Sequence, residues 1–389
     1  MLITAKLMLI TAVKLLCTGA TLAGCAFYLL AMLAAVRFFR GQTTAPPNEL
    51  GPVSILIPLC GADEGAYESY AAFCRQDYAV YQLVFGVRDA LDTAVPIVRR
   101  LMADFPERDI TLVICPSTIG ANLKVSNLYN MLAYVKHEWL VIVDSDIRVG
   151  TAYLRSVMPL LADQCIGLVT CLYRASQAPD LAARLEAIGL TADFVPGVLA
   201  AWLLEGMHFA LGSTMALTRT TLKAIGGFAA IRDYLADDFM LGNLIAKAGY
   251  EVCLARYVVE AVVAPMGFYG MLKHQLRWSR SMRFSRPVGY LGAVLTHGTA
   301  LALLNLLVHQ GAVPSLVLLG MALSIRLGMA WLIGVHWLDD RVLKQSFWLL
   351  PLRDLLNFGI WCLGLVGKRV EWRGQLLEII GDGKIVQVR

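Results

Sequence analysis

The chain is 389 residues long, 58% hydrophobic and only 16% charged. Soluble domains carry roughly 25% charged residues, so this composition excludes a wholly soluble globular protein and assigns part of the chain to lipid. The formal net charge of +5 is modest and has no long basic run or basic stripe with interleaved aromatics; it argues against a nucleic-acid partner and suits an anionic membrane surface or a phosphorylated ligand.

The first element is an apolar run from Leu15 to Phe39, about the 20 residues needed to cross a bilayer core. It is too long for a signal-peptide core and no small-residue cleavage site clearly follows it, so residues 1–41 read as an uncleaved transmembrane anchor. Arg37 and Arg40 close it, and the positive-inside rule then places the following segment in the cytoplasm.

Ala45-Pro46-Pro47-Asn48 reads as a linker, because two prolines cannot continue a helix. The stretch 42–262 then alternates strands and helices. Val53 to Pro58, Gln82 to Val87, Thr111 to Cys115 and Trp139 to Asp144 are short apolar runs bounded by Pro, Gly or Asp, and amphipathic segments at Ala94 to Phe105 and Lys124 to Val135 separate them. This order predicts an α/β domain with a mainly parallel sheet and helices on both faces. Neither GxGxxG nor GxxxxGK(S/T) occurs, so the common dinucleotide and P-loop phosphate cradles are absent from the sequence.

Acidic residues stand at the strand ends instead. Asp89 follows "FGVR", while Asp144 and Asp146 follow "VIV". In an extended segment, residues two apart point to one face, so the Asp144 and Asp146 carboxylates converge. Their repulsion is relieved by a hard divalent cation, Mg2+ or Mn2+, itself holding a diphosphate. Taken alone, an acidic pair also fits a solvated turn, but its place directly after a fully apolar strand favours a ligand site. Tyr234 to Tyr250 reads as a helix with Asp237 and Asp238 at its start, where the helix dipole welcomes negative charge. Only one of two adjacent acids can cap the helix.

Residues 263–286 read as an amphipathic interfacial helix, with Arg277, Arg280, Arg283 and Arg286 at three-residue steps and Leu272, Leu276, Met282 and Phe284 between them. Three further spans are expected within 287–368, at Val288 to Gln310, Ser315 to Leu338 and Phe347 to Gly367, and 369–389 forms a tail. With three spans, Lys368, Arg369 and Arg373 would emerge on the outer face, against the positive-inside rule. The nine cysteines have no paired spacing and read as small buried residues.

Asp89, Asp144-Ser145-Asp146, Asp238 and Arg277-Trp278 occur in the order found in inverting, nucleotide-sugar-dependent glycosyltransferases with processive or lipid acceptors. The segments "GVRDALDTAVPIV", "GANLKVSNL", "DSDIRV", "GGFAAIRDYLADDFMLG" and "VEWRGQLLEIIGDG" more specifically resemble glycosyltransferase family 21. That family contains ceramide glucosyltransferases and a bacterial enzyme that adds an N-acetylhexosamine to hopanoid lipids. The resemblance implies a nucleotide-sugar glycosyltransferase fold of GT-A type, with transmembrane helices at both ends and a cytoplasmic catalytic domain. It further implies a multi-pass protein of a bacterial inner membrane, with a UDP-sugar donor and a lipid acceptor.

By the same resemblance, Asp89, Lys124, Asp144 and Glu64 contact the donor. Asp144 and Asp146 hold the metal. Asp238 is the catalytic base, and Arg277 and Trp278 end the Q/RxxRW motif. Here His274 stands at the first position of that motif, with Gln275 beside it. Two rival readings remain: a processive polysaccharide synthase, and a non-enzymatic transporter or scaffold for which Arg326, Arg353 and Asp354 would be the support, since intramembrane charges mark transport paths.

Overall fold

In this computed structural model, residues 2–41 and 51–388 are described. The expected linker at Ala45 to Asn48 and the domain boundary at 42 lie outside them. The chain forms two compact units: one of Met1–Gly41, Ala178–Glu205 and Pro265–Gly367, the other of Gln42–Gln177, Gly206–Ala264 and Lys368–Arg389.

The second unit is an α/β domain. Its strands are β1 (Val53–Pro58), β2 (Tyr81–Val87), β3 (Asp109–Ile114), β4 (Trp139–Ile142), β5 (Ile147–Arg148), β6 (Ile166–Gln177), β7 (Met215–Thr218) and β8 (Glu251–Val262). They make one sheet in the order β3-β2-β1-β4-β7-β6-β8-β5. Every residue of β1 and β2 is buried, as expected of strands covered on both faces. The β3-β2-β1-β4 half is parallel, as the alternation predicts. β7 pairs antiparallel with β4 and β6, and β5 with β8, so the sheet is mixed. β1 lies between β2 and β4, so the chain leaves it in one direction and returns on its other side. Ligands bind at such a reversal, outside the carboxyl ends of the strands.

The described part of the expected tail, 369–388, folds with the α/β unit. β9 (Arg369–Trp372), β10 (Gln375–Ile379) and β11 (Ile385–Gln387) make an antiparallel sheet that belongs to the α/β unit. Val370, Leu377, Ile379 and Ile385 are buried. The backbone of Leu235 donates to Gly383 O over 3.1 Å and that of Ile385 to Asp233 O over 2.7 Å. Apolar alternation over so short a stretch becomes legible as a sheet only through these partners.

The other unit is helical. Thr4–Arg40, Leu181–Glu205 and Val313–Trp337 are each long and apolar enough to cross a membrane, and Pro287–Thr296 with Gly298–Val308 forms a pair bent by 64°. Leu181–Glu205 was not expected from the sequence, since it interrupts the α/β domain between β6 and β7. The expected last span is shorter in the structure: its regular helix is Leu350–Gly364, 15 residues, or about 22 Å against the roughly 30 Å of a hydrocarbon core.

The amphipathic helix is found as Phe268–Ser285. Its arginines are engaged by protein: Arg280 Nε donates to Val366 O over 3.2 Å, Arg283 to Leu365 O and Gly367 O, and Arg286 pairs with Glu205 at 2.6 Å. Arg280 and Arg283 thus satisfy carbonyls at the end of Leu350–Gly364, where a cation is favourable. These contacts with carbonyls and a carboxylate show that the charged face of the helix is held by protein.

The charges Arg326, Arg353 and Asp354 are all buried. Arg326 Nη2 lies 2.6 Å from Asp193 and 2.7 Å from Asp354, and Arg353 Nε lies 2.9 Å from Asp193. Asp193, which meets both arginines, sits in a π-helical turn, Gly189–Phe194. These groups neutralise one another, which removes the main support for a transport path.

Candidate active site

The carboxyl edge of the parallel strands collects the expected acids of the α/β unit. Asp89 follows β2, exposed, and borders a cavity of ≈ 470 Å³ lined by Arg88, Asp89, Ala90, Ile114 and Pro116. Asp89 Oδ1 accepts from Leu91 N at 2.9 Å, which shapes its loop. Glu64 is exposed in the loop after β1. Asp144 and Asp146 follow β4; Asp144 is half-buried and Asp146 exposed.

Lys124 joins these strand ends to the acidic helix. It lies in the first turn of Leu123–Met131, whose cap is Asn122: its side chain accepts from Val125 N at 3.0 Å and donates to Tyr234 O at 2.7 Å. A cation at a helix N-terminus is poorly placed for the dipole, so carboxylates must compensate. Lys124 Nζ lies 2.6 Å from Asp144 and 3.0 Å from Asp237, itself buried. Burial alone would lower the Lys124 pKa, but Asp144, Asp237 and Asp238 together raise it, so the ammonium stays charged.

Asp237 and Asp238 are the first two residues of the helix Asp237–Lys247, which Ala236 caps. Neither acid is the cap. Asp237 turns inward to Lys124, whereas the half-buried Asp238 accepts from Gly212 N at 2.9 Å through Oδ2. Gly212 was not singled out in the sequence, and "ALGST" carries no signal for it. A Cβ there would lie 2.6 Å from Asp144 Oδ2 and 3.3 Å from Asp238 Oδ2, so only glycine lets both carboxylates converge. The loop is set by buried Thr170 of β6: Leu211 N donates to its hydroxyl at 2.9 Å, which in turn donates to Thr214 O at 2.7 Å.

The electrostatics follow from this crowding. Burial, and then the Asp237 carboxylate, push Asp238 up to about 6. Asp146 is raised in the same direction by loss of solvent and then by Asp144, but it is exposed and water screens part of that effect. Among the described residues, no three His, Cys, Asp or Glu converge into a protein-only metal cage.

Arg277, Trp278 and His274 belong to the helical unit. His274 Nδ1 lies 2.7 Å from Glu186 Oε1, and Gln275 Nε2 donates to Glu186 Oε2 at 2.6 Å. The His274 ring lies 5.0 Å from that of Trp278, which also meets Phe194 at 6.1 Å. The displaced motif position therefore anchors the helix to Glu186, which no motif in the sequence marks. Gln275 also accepts from Arg353 Nη2 at 3.1 Å, linking the motif to the buried ion cluster.

Comparison with known proteins agrees with this architecture. Ceramide glucosyltransferase 3 of Caenorhabditis elegans is 23% identical over 363 residues, covering 87% of this chain and 75% of that protein. Ceramide glucosyltransferase 1 of the same organism is 21% identical over 261 residues, covering 64% of this chain and 56% of that protein. The fold matches that of a mannosyltransferase from Pyrobaculum calidifontis, solved in complex with GDP-Man and Mn2+, with a TM-score of 0.56, 20% identity and coverage of 90% and 97% of the two chains. The sequence profile described as Glycosyl transferase family 21 matches residues 16–385, and the chain belongs to that family: it is a nucleotide-sugar glycosyltransferase with a GT-A-type domain.

Proposed function

We propose that the chain moves a hexose, glucose or N-acetylglucosamine, from a UDP-sugar to the hydroxyl of a lipid, ceramide or a hopanoid polyol, with inversion at the sugar. The observation that carries this reading is the convergence of Asp144 and Asp238 on Gly212, beside Lys124, at the strand reversal of a family 21 chain. The candidate membrane helices in the same chain favour a lipid acceptor.

Asp144 and Asp146 suit a divalent cation. Their carboxylates are acceptors only, and two carboxylates with substrate phosphates and water, without a protein cage, are what Mg2+ typically takes. When bound, the cation supplies charge stabilisation to the departing diphosphate. Asp238 takes the acceptor hydroxyl proton as the new bond forms to the anomeric carbon and the bond to the diphosphate breaks. Gly212 N donates to Oδ2 of that carboxylate at 2.9 Å and Phe239 N to Oδ1 at 2.7 Å, which fix its orientation while each oxygen keeps a lone pair that can accept the proton. Lys124 holds Asp144 in place through their 2.6 Å ion pair, and Asp89 and Glu64 line the donor side. The roles of Arg277 and Trp278, in the helical unit, rest on the family's Q/RxxRW motif, which calls for an arginine fork suited to phosphate oxygens and a flat apolar ring.

Arg37 and Arg40 in the last turn of the first helix support a cytoplasmic α/β unit by the positive-inside rule. A compact domain occupies one side of a bilayer, so the excursions Ala178–Glu205 and Pro265–Gly367 both return to the side they left. Leu181–Glu205 is then no single span, and Lys368, Arg369 and Arg373 lie on the same side as the first arginines, in keeping with the positive-inside rule. Incubating the purified chain with labelled UDP-glucose or UDP-N-acetylglucosamine, Mn2+ and ceramide or hopanoid acceptors tests the reading. A labelled glycolipid is expected; a polymer, or no transfer from any donor, would overturn it.

A further inference from the structure

We propose that Arg373, at the tip of the C-terminal hairpin, is a donor-binding residue whose guanidinium takes the diphosphate of the nucleotide sugar. This rests on the function proposed above. In the sequence Arg373 stands within the family-like segment "VEWRGQLLEIIGDG" and among the charges after the last expected span, with no role attached to it.

The hairpin delivers it rigidly. Trp372 and Gln375 are paired across a two-residue turn, Arg373-Gly374, with φ of 48° and 77°, the left-handed pair that matches strand twist. A non-glycine residue in that region is uncommon and is held by its surroundings. Glu378 braces the hairpin through Lys368 at 2.6 Å and Arg369 at 3.5 Å. On its far strand, Tyr234 bridges Lys384 in the segment that leads directly into Asp237 and Asp238. The sheet is therefore fixed to the acidic helix start, while its tip reaches the loop after β1.

At that tip the guanidinium is exposed, with Asp63 Oδ2 at 3.9 Å, too long for a hydrogen bond. Its charge also acts on Asp146, opposing the rise of that carboxyl. Asp63, Asp144, Asp146 and Asp238 make this edge of the domain strongly acidic, and a polyanionic donor must find cations there. Lys124 is occupied by Asp144 and Asp237. Arg373 has forked donors to spare and matches phosphate oxygens in geometry. The loop it faces is itself held in place: Gly61 N donates to Asp92 Oδ2 at 2.9 Å and Ala62 N to the Thr93 hydroxyl at 2.9 Å.

The test measures UDP and uridine binding to the full chain with Mn2+ by titration calorimetry. Arg373→Ala is expected to weaken UDP by about tenfold or more while leaving uridine unchanged, because only the phosphates meet a charge-assisted donor. Arg373→Lys is expected to recover only part of the loss, since an ammonium lacks the fork. Unaltered UDP affinity in Arg373→Ala, or equal losses for UDP and uridine, would overturn the assignment. A wild-type chain that binds neither would instead overturn the proposed donor, and this assignment with it. Thermal unfolding of Arg373→Ala close to wild type is expected, since the side chain is exposed.

Discussion

The backbone amide of Gly212 donates to Asp238 Oδ2 over 2.9 Å, and the same glycine has room for no Cβ beside Asp144 Oδ2. One residue without a side chain thus sets the spacing between the proposed base and the proposed donor site. Gly212→Ala is expected to lower turnover by roughly 10²-fold, since displacements of about 1 Å at a reacting centre cost that much. Circular dichroism and melting temperature should move little. Turnover within twofold of wild type would show that the carboxylates do not need this approach.

Asp238 and Asp237 are expected to fail differently. Asp238→Asn keeps size and one acceptor but cannot take a proton, so turnover should fall by about 10² to 10⁴ with UDP affinity nearly unchanged. Asp237→Asn removes charge from the Lys124 pair and should show first as lost stability. The reverse pattern, measured by kinetics alongside thermal melting, would exchange the two roles.

The raised Asp238 carboxyl also fixes a pH dependence. A base must be ionised to act, so activity should rise as pH climbs through about 6, where Asp238 titrates, rather than near the usual aspartate value. Stability has the opposite sign: the fold disfavours the ionised form, so this group's contribution declines as pH rises from about 4 toward 6. A rate profile with no limb between pH 5 and 7 at saturating metal, where roughly one unit of displacement is allowed for, would exclude Asp238 as the rate-setting base.

Asp146→Ala is expected to weaken donor binding in Mn2+, with EDTA causing little further loss. Wild-type binding should drop sharply in EDTA. Titration of UDP with and without the chelator distinguishes a metal ligand from a solvated turn residue, because only the former makes the mutation and the chelator redundant.

Arg326 stands between Asp193 and Asp354 in the helical unit. Arg326→Leu leaves Asp354 without its cation, while Asp193 keeps Arg353, and is expected to cost about 3–5 kcal/mol, the usual penalty for breaking a buried pair. Arg326→Leu with Asp354→Leu should cost less, because the orphaned charge goes too. Melting in detergent reports both; additive losses would show that the groups are not coupled.

A thiol placed at Val386, on β11, and one placed in the α/β unit at Ala90 should both resist an impermeant reagent in intact cells and react after lysis. Opposite behaviour at the two positions would separate the C-terminal sheet from the domain that contains it here.

Much of this site was legible in the sequence because each signal was local. Four apolar runs ending in Pro, Gly or Asp mark β1 to β4, and carboxylates after such runs must lie at the sheet's carboxyl edge whatever the rest of the chain does. The order of Asp89, Asp144, Asp146, Asp238 and Arg277-Trp278 likewise reads along one line and leads to the family. Other features depend on residues far apart in the chain. Lys124 finds Asp237, 113 positions later, and Gly212 matters only because two carboxylates from different elements meet there. The antiparallel half of the sheet forms from short strands whose partners no periodicity names. Leu181–Glu205 looks like a span by composition, yet the strands on either side of it share one sheet. The C-terminal stretch reads as a tail until its hydrogen bonds to Asp233 and Leu235 make it part of the catalytic domain. Hydrophobic pattern and strand-end chemistry are properties of neighbours in sequence; the pairing of charges, the close approach permitted by a glycine and the side of the membrane on which a segment ends are properties of the folded chain.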